Sequence, residues 1–571
     1  LTLTGLEGKL FTPVAITIVF AMFSALVLAL TVVPIIASLL LTEDAAIVPR
    51  WVLKLQGWYQ QSLKRVMAQP RYLLAIFATL LLISAVMFLH TGKTFMPVLD
   101  EGDIIVQLEK SPSISLAASI ALDEQIELAL LERVPEIRQI VARTGSDEIG
   151  LDPMSLNETD IFMELEPASR WRFDTKKALI DEIRQVLKEY PGINFGFTQP
   201  IQMRISEMLT GTSGDLSVKI FGNDIDRLAG LTDRVATIVR GIPGSVDVQA
   251  SSIAGGKFLS VDVHAEVAQR FGMSTAAFAR YLKTQFEGTR VSEIIQGKKR
   301  TPIVFAIDPL DPQAPSTVNA LKQKVMVMPD SRQAPLYELA DVSLREGPFL
   351  VERERGNRFA VVTSNVTGRD IVGFVEELKA ATAEQLVLPT GYSIQFGGEF
   401  ENQQRAMRNL LLVIPAALLL ITIILFSTFG SMQQAMLILG NIPFAIMGGL
   451  IALFVTGEYL SVPASVGLIA LLGVAVLNAV VMVSYFEQTR LSVSDHWLRI
   501  VQGSARRLRP VLMTATTAMF GLMPLAFATG PGAEIQKPLA IVVIGGLFSS
   551  TITTLYLLPL FYYYLETRRN G

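Results

Sequence analysis

Long apolar stretches punctuate this 571-residue chain, and their lengths predict membrane helices. A helix that crosses a bilayer needs about 20 mostly apolar residues. Seven stretches fit this requirement: Val14–Leu41, Tyr72–His90, Leu410–Phe426, Ala435–Val455, Ala464–Phe486, Val511–Ala528 and Leu539–Leu565. The pattern therefore predicts an α-helical membrane bundle with seven spans in this chain.

Between the second and third spans the pattern changes to strands that alternate with amphipathic helices. A unit of helix, Pro-Gly break and returning strand recurs with helices at Lys176–Tyr190, Leu228–Arg240 and Ile371–Val387. This repetition predicts a large α+β insert built from split βαβ (ferredoxin-like) subdomains, with helices on one face of each sheet.

Charge is unevenly distributed, which excludes one large soluble domain. Of the 101 charged residues, 79 lie in the insert at 91–408, whose net charge is −9, while the remainder of the chain carries +6. Outside the insert, 12 of the 14 basic residues lie in the segments 42–71 and 487–509 and in the C-terminal tail. The positive-inside rule places these segments in the cytoplasm, so the insert of this multi-pass membrane protein is expected on the outer side of the membrane.

The segment Pro49–Met67, which lies between two predicted spans, alternates apolar and polar residues at helical spacing. Its aromatic residues include Trp51, Trp58 and Tyr59, and its polar positions include Lys54 and Lys64. This pattern predicts an amphipathic helix on the cytoplasmic membrane surface, in contact with lipid.

Several kinds of chemistry are not expected. The chain has no cysteine and only three histidines, so the sequence predicts neither disulfides nor a thiolate or His-rich metal site. No Walker-type motif occurs, and we expect neither enzymatic activity, a bound cofactor nor a nucleic-acid partner. The interiors of the predicted spans contain no Asp, Glu, Lys or Arg.

Several motifs resemble those of the resistance-nodulation-division (RND) exporters. Near the C-terminus these are Arg507–Thr514, Met523–Ala526 and Gly473–Asn478, and Phe95–Pro97 with Asp100–Gly102 resembles the entry to a periplasmic loop. The stretch Gln199–Arg204 resembles a motif typical of the heavy-metal efflux branch, which includes pumps of the cobalt-zinc-cadmium and copper-silver types. The resemblance covers the whole chain and matches the C-terminal half of such a pump.

The resemblance implies a trimeric inner-membrane pump that uses the proton gradient and works with a periplasmic adaptor and an outer-membrane channel. It also implies an organisation, in which the segments are 1–41 (end of a periplasmic turn and first span), 42–71 (cytoplasmic amphipathic helix), 72–96 (second span), 97–214 (first porter subdomain), 215–263 with 352–408 (second porter subdomain), 264–351 (docking subdomain) and 409–571 (five spans). Because the family's proton-binding acids lie on a span that this chain does not include, we expect that the chain cannot pump alone.

The resemblance places Asn478, Thr514 and Arg507 along the proton relay. The residue before Asn478 is Leu477, where the multidrug branch has a lysine and the copper-silver branch a glutamate, so the relay is expected to differ in detail. Polar side chains in spans also serve as interhelical hydrogen bonds, and Arg507 also fits a simple cytoplasmic anchor.

For the cargo, the first subdomain offers the acids Glu158, Asp160, Glu164 and Glu207, of which Glu158, Asp160 and Glu207 are the candidate ligands together with Gln107. The segment Asp152–Asp160 is predicted to be a loop that enters the strand Ile161–Leu165. By resemblance, Glu158, Glu207 and Gln107 lie near positions where the copper-silver branch has methionines. Carboxylates in place of thioethers favour harder divalent ions such as zinc, cobalt, nickel or cadmium. The alternative is that these residues are ordinary solvated acids.

Methionines offer a competing soft-metal route. Met154, Met163, Met203 and Met208 lie in the same region, although methionine is more often a flexible core residue. The leading hypothesis is export of heavy-metal cations, divalent ones favoured, by proton antiport. The alternatives are export of organic or amphiphilic compounds, and a non-transporting membrane assembly or protein-export factor.

Overall fold

The computed structural model describes residues 5–40, 49–97, 100–145, 154–204, 214–251, 256–297, 299–305, 318–348, 351–490, 495–528, 530 and 532–570. Within these residues the chain forms a bundle of long apolar helices and a separate β-rich part. The bundle is built from both ends of the chain, and the β-rich part lies between them in sequence.

The helices of the first half include both apolar and amphipathic segments. They are α1 Gly5–Leu30, α2 Val32–Leu40, α3 Arg50–Ala68, α4 Pro70–His90, α5 Leu116–Arg133, α6 Lys176–Lys188, α7 Ile225–Gly241, α8 Ala265–Arg270 and α9 Thr275–Glu287. Those of the second half are α10 Val318–Gln323, α11 Leu336–Leu339, α12 Ile371–Gln385, α13 Glu399–Phe429, α14 Met432–Leu439, α15 Ile442–Thr456, α16 Val462–Gln488, α17 His496–Ala526 and α18 Ala533–Asn570.

In sequence, the strands lie between the apolar helices α4 and α13. They are β1 Ile104–Glu109, β2 Ile137–Thr144, β3 Glu158–Leu165, β4 Asn194–Thr198, β5 Leu216–Phe221, β6 Ser245–Ala250, β7 Gly256–Val263, β8 Thr289–Gln296, β9 Lys299–Phe305, β10 Val325–Val327, β11 Gln333–Pro335, β12 Ala340–Gly347, β13 Glu352–Glu354, β14 Asn357–Val366 and β15 Ser393–Gly398.

Six helical segments of the described chain are long and apolar enough to cross a membrane: Phe11–Leu30, Pro70–His90, Glu399–Phe429, Met432–Thr456, Val462–Gln488 and Ala533–Arg568. The remaining predicted span, Val511–Ala528, corresponds to the second half of α17, whose first half is basic. The predicted span Ala435–Val455 is divided into α14 and α15 at Gly440 and Asn441. Pro443 at the start of α15 accounts for that break, because proline cannot donate a helical hydrogen bond.

The two larger sheets share one strand order. The order in the first sheet is β2-β3-β1-β4. In the second sheet the corresponding order is β6-β14-β5-β15, and β13 also pairs with β14. All of these pairs are antiparallel. Each sheet buries one face against its two helices, which are α5 and α6 in the first and α7 and α12 in the second. Three two-stranded ribbons, β7 with β12, β8 with β9 and β10 with β11, account for the remaining described strands.

One prediction of local structure was wrong in its boundary. The strand β3 begins at Glu158, so Glu158, Thr159 and Asp160 belong to the strand and not to the preceding loop. Residues 158–163 of β3 pair residue by residue with β1, and that pairing extends the strand through polar residues. Side chains alternate along this strand, so that Ile161 lies in the core while Asp160 points to the opposite face, away from α5 and α6.

Candidate functional site

The polar face of the first sheet brings two of the candidate ligands together. Gln107 on β1 lies directly opposite Asp160 on β3, and its Nε2 donates a 3.1 Å hydrogen bond to Asp160 Oδ1. Arg143, on the neighbouring strand β2, forms an ion pair with the other carboxylate oxygen. Asp160 is almost fully buried, so its charge is already balanced within the protein. A cation could reach this carboxylate only after Arg143 moved away.

Glu158 occupies a different electrostatic environment two residues earlier on the same face. Burial raises its pKa to about 7, and the negative charges of Glu109, Asp160 and Glu352 add to the shift. The backbone N–H of Ser155, which donates a 3.0 Å hydrogen bond to Glu158 Oε2, partly opposes it. This carboxyl is therefore poised to exchange a proton near neutral pH, as a group that trades a proton for a cation would be.

The neighbours of Glu158 come from both sheets. Glu109 is its cross-strand partner on β1, and Glu352 begins β13 of the second sheet. Burial also raises the pKa of Glu352, although Lys219 opposes the shift. Like charges directly opposite each other destabilise a sheet, so the pairing of Glu109 with Glu158 has an energetic cost when both acids are ionised. Neither Glu109 nor Glu352 was among the candidates from the sequence, although Glu109 shares the strand face of Gln107 by its spacing of two.

A buried ion pair supports the strands behind this acidic face. Lys110 Nζ lies 2.7 Å from the Asp123 carboxylate and donates hydrogen bonds to the hydroxyls of Ser119 and Thr159. The Thr144 hydroxyl donates to the same carboxylate at 2.9 Å. Burial lowers the pKa of Lys110, while Asp123 opposes that shift. The cluster joins β1, β2, β3 and α5, and it holds the ends of β1 and β3 in register.

The remaining candidates for cargo binding have different outcomes. Glu207 and Met208 lie outside the described residues. Met163 is part of the core of the first sheet and Met203 is also buried. Across the described ranges, no three His, Asp or Glu side chains are arranged to hold a metal ion.

Within the helical bundle, Asn478 and Thr514 contact each other. Thr514 on α17 donates its hydroxyl hydrogen to Asn478 Oδ1 on α16 across 2.8 Å. Asn478 is buried, whereas Thr514 is exposed on the side of the described bundle. Among the residues that the structure describes, Asn478 Nδ2 has no hydrogen-bond partner. The pair therefore combines the buried Asn478 amide, whose N–H groups have no partner among the described residues, with the exposed hydroxyl of Thr514.

Arg507 lies on the same seam between the two helices. The Arg507 guanidinium lies 4.5 Å from the ring centre of Tyr485. Arg507 precedes Thr514 by seven residues on α17, and Tyr485 follows Asn478 by seven residues on α16. Seven residues are about two helical turns, so the two contacts follow each other along antiparallel helices. The structure thus places all three predicted relay residues on one helix pair.

A second polar cluster at the helix ends was not predicted. Arg499 and Glu566 are both buried and form an ion pair, with His496 Nδ1 and Arg490 Nε at 3.5 and 3.7 Å from the same carboxylate. Arg490 also lies 3.6 Å from Glu487, which accepts hydrogen bonds from Gln434 and from Tyr562 at 2.8 Å. The cluster joins α14, α16, α17 and α18. In the sequence these arginines served only as markers of orientation.

Comparison with known proteins identifies the family. Residues 1–566 match the AcrB/AcrD/AcrF family. The cobalt-zinc-cadmium resistance protein CzcA of Cupriavidus metallidurans is 38% identical over 570 residues, which cover 98% of this chain and 53% of CzcA. The nickel and cobalt resistance protein CnrA of the same species is 34% identical over 564 residues, with 98% of this chain and 52% of CnrA covered.

The fold is also that of a solved exporter. The X-ray structure of a heavy metal efflux pump in crystal form II is 32% identical and superposes with a TM-score of 0.86, covering 99% of this chain and 56% of that chain. The chain thus spans about half the length of the proteins it matches. It is a membrane protein of the AcrB/AcrD/AcrF family, which confirms its resemblance to the heavy-metal branch of the RND exporters.

Proposed function

We propose that this chain is part of a pump that exports divalent heavy-metal cations by proton antiport. The observation that carries the proposal is the position of Glu158, a half-buried carboxyl beside Glu109 and Glu352 with a pKa of about 7. Carboxylate ligands favour zinc, cobalt, nickel or cadmium over Cu(I) or Ag(I). The names of CzcA and CnrA, which specify cobalt, zinc, cadmium and nickel, support the same cargo.

The acidic face suits a cargo that must be released as well as bound. A cation that approaches Glu158 competes with a proton, because the carboxyl is half protonated near pH 7. Gln107 offers a neutral oxygen nearby, and Asp160 becomes a ligand only when Arg143 leaves it. Glu207 is proposed as a further ligand. Binding would therefore be coupled to movement of strands or side chains.

The proposed organisation assigns roles to the segments. Residues 97–214 and 215–263 with 352–408 would be two porter subdomains in the periplasm, and residues 264–351 would be the docking subdomain. The working pump would be a homotrimer in the inner membrane that meets a periplasmic adaptor and an outer-membrane channel. The shared strand order of the two larger sheets supports the division into two porter subdomains.

The same proposal gives the helix pair α16 and α17 a role in the proton path. Asn478 offers an unused amide donor, Thr514 offers a hydroxyl, and Arg507 places a positive charge two turns away. Together they could orient and stabilise a carboxylate that approaches the open side of the pair. Charge-assisted hydrogen bonds of this kind are stronger than neutral ones, so the contact would change with protonation of that carboxylate.

The test is metal tolerance of a sensitive bacterial host that carries the gene at its native length. Glu158→Gln keeps the shape of the side chain and removes its charge, and we expect it to abolish most of the protection against zinc, cobalt, nickel or cadmium. Glu164→Gln is the matched control, because Glu164 lies on the same strand but is exposed and paired with Arg138. Full protection by Glu158→Gln at normal protein levels would contradict the proposal. Protection against organic dyes alone would favour an exporter of organic compounds.

A further inference from the structure

The amphipathic helix α3 has two apolar faces, and only one of them is used inside the protein. Its inner face buries Val52, Tyr59, Leu63 and Met67. Tyr59 Oη donates a 2.5 Å hydrogen bond to the carbonyl oxygen of Leu555 on α18, and its ring packs edge-on against Tyr556. The helix is therefore fixed to the bundle in one rotational setting, which determines the direction of its other face.

The outer face combines indole rings with basic side chains. Trp51 and Trp58 are 68% and 64% exposed, although large aromatic residues are normally buried. Because they are seven residues apart, they lie on one stripe of the helix, and Lys54 and Arg65 lie beside them at helical spacing. Both basic side chains are exposed as well. The indoles thus stand next to positive charge along most of the length of α3.

The charge of this segment is entirely positive. Residues 49–71 contain five basic residues, Arg50, Lys54, Lys64, Arg65 and Arg71, and neither Asp nor Glu. None of the five forms an ion pair with any residue that the structure describes. Helix α4, which is apolar enough to span a membrane, begins at Pro70, two residues after α3 ends. The basic face therefore lies at the boundary between the apolar bundle and water.

We propose that the outer face of α3 is a binding surface for anionic phospholipid headgroups. The two indoles would lie at headgroup depth, where their apolar rings and N–H groups are both satisfied, and Lys54 and Arg65 would bind lipid phosphates. Charge complementarity selects anionic over zwitterionic lipid, since no acid in the segment neutralises the cations. This surface is independent of metal export, because it lies on the bundle and not on the β-rich part.

Quenching of tryptophan fluorescence by brominated lipid tests this surface in the full chain. The protein is reconstituted into phosphatidylcholine nanodiscs that contain the same mole fraction of either brominated phosphatidylglycerol or brominated phosphatidylcholine. We expect local enrichment of the anionic lipid by about fivefold for each basic side chain engaged. The enrichment should decrease as salt is raised, because salt screens exposed charges. Comparison with Trp51→Phe/Trp58→Phe isolates the signal of these two of the four tryptophans.

Matched charge variants separate a binding surface from general electrostatics. Lys54→Gln/Arg65→Gln should reduce the preference for the anionic lipid to less than twofold. Lys177→Gln/Lys188→Gln removes equal charge from two exposed positions of α6 and should leave the preference unchanged. Equal quenching by both lipids in the unaltered chain would overturn the proposal, and so would equal losses in the two variants. If neither lipid quenched Trp51 or Trp58, protein would cover this face and the proposal would also fail.

Discussion

Thr514 donates its hydroxyl hydrogen to Asn478 Oδ1 across 2.8 Å, and this bond joins two helices at a level where both are apolar. The hydroxyl also lies 3.1 and 3.0 Å from the carbonyl oxygens of Pro510 and Val511 in its own helix. A hydroxyl has one hydrogen to donate, so these acceptors compete for it. The contact is thus a point at which a side chain can change partners without moving its helix.

We predict that Thr514→Val weakens the contact between α16 and α17. The substitution leaves Asn478 buried with fewer partners, which should cost about 1 kcal/mol of stability in the membrane. Thr516→Val is the matched control, because among the described residues the Thr516 hydroxyl bonds only to carbonyl oxygens of its own helix. Thermal unfolding of the purified chain in detergent measures the difference. Equal melting temperatures for the two variants would show that the bond contributes nothing.

A second prediction concerns pH and Glu158. Its pKa in the folded chain, about 7, exceeds the ordinary value of 4.5, so the folded state binds the proton more tightly than the unfolded state. The stabilisation from this proton is complete below pH 4.5 and is lost as pH rises through 7. Glu158→Gln removes the titration. The melting temperature of the native chain relative to this variant should therefore fall between pH 5 and 8.

The matched control for that titration is Glu164→Gln, which changes an exposed acid on the same strand. The melting temperature of the native chain relative to Glu164→Gln should show no comparable decline over the same pH range. A parallel decline in both comparisons would mean that Glu158 is not the titrating group.

Local pattern predicted those elements whose stability is local. The helices predicted at Lys176–Tyr190, Leu228–Arg240 and Ile371–Val387 are present within three residues of those bounds. Their amphipathic spacing and the capping side chains of Thr175, Asp224 and Asp370 are local features of the sequence. The start of β3 was missed, since Glu158–Asp160 is polar and only its pairing with β1 makes it a strand. Strand pairing is a tertiary property that a single segment does not encode.

The site shows the same division between local and distant information. The resemblance made Gln107 a candidate ligand and the acidic pattern made Asp160 one, but their hydrogen bond and the ion pair with Arg143 depend on the order of three strands. Arg499 and Glu566 are 67 residues apart, and nothing in either local sequence indicates their contact. A carboxylate near the end of a helix is usually solvated, so its burial becomes evident only when four helices are assembled.

A third prediction follows from the burial of Arg499 and Glu566. Removing one member of a buried ion pair leaves an uncompensated charge, so Arg499→Ala should destabilise the chain by about 3–5 kcal/mol. Arg490→Ala is the control, because Arg490 is more exposed and lies 3.7 Å from the same carboxylate. We expect a much smaller effect there. Size-exclusion analysis after heating measures the surviving monodisperse protein, and the double variant Arg499→Ala/Glu566→Ala should recover part of the loss. Arg499→Ala with no more loss than Arg490→Ala would contradict a buried pair.

A fourth prediction concerns the close approach of α15 and α18. A Cβ atom added to Gly448 would lie 2.1 Å from the Ser549 hydroxyl oxygen and 2.4 Å from the carbonyl oxygen of Gly545. The backbone contact leaves no space for a methyl group, so Gly448→Ala should push the helices apart and cost about 1–3 kcal/mol.

Gly473→Ala is the matched control in α16, because a Cβ there meets nothing within 4 Å in the described chain. It should be neutral or slightly stabilising, since alanine favours the helix by up to about 1 kcal/mol. Thermal unfolding in detergent distinguishes the two, and equal effects would show that small residues are not required where α15 and α18 cross.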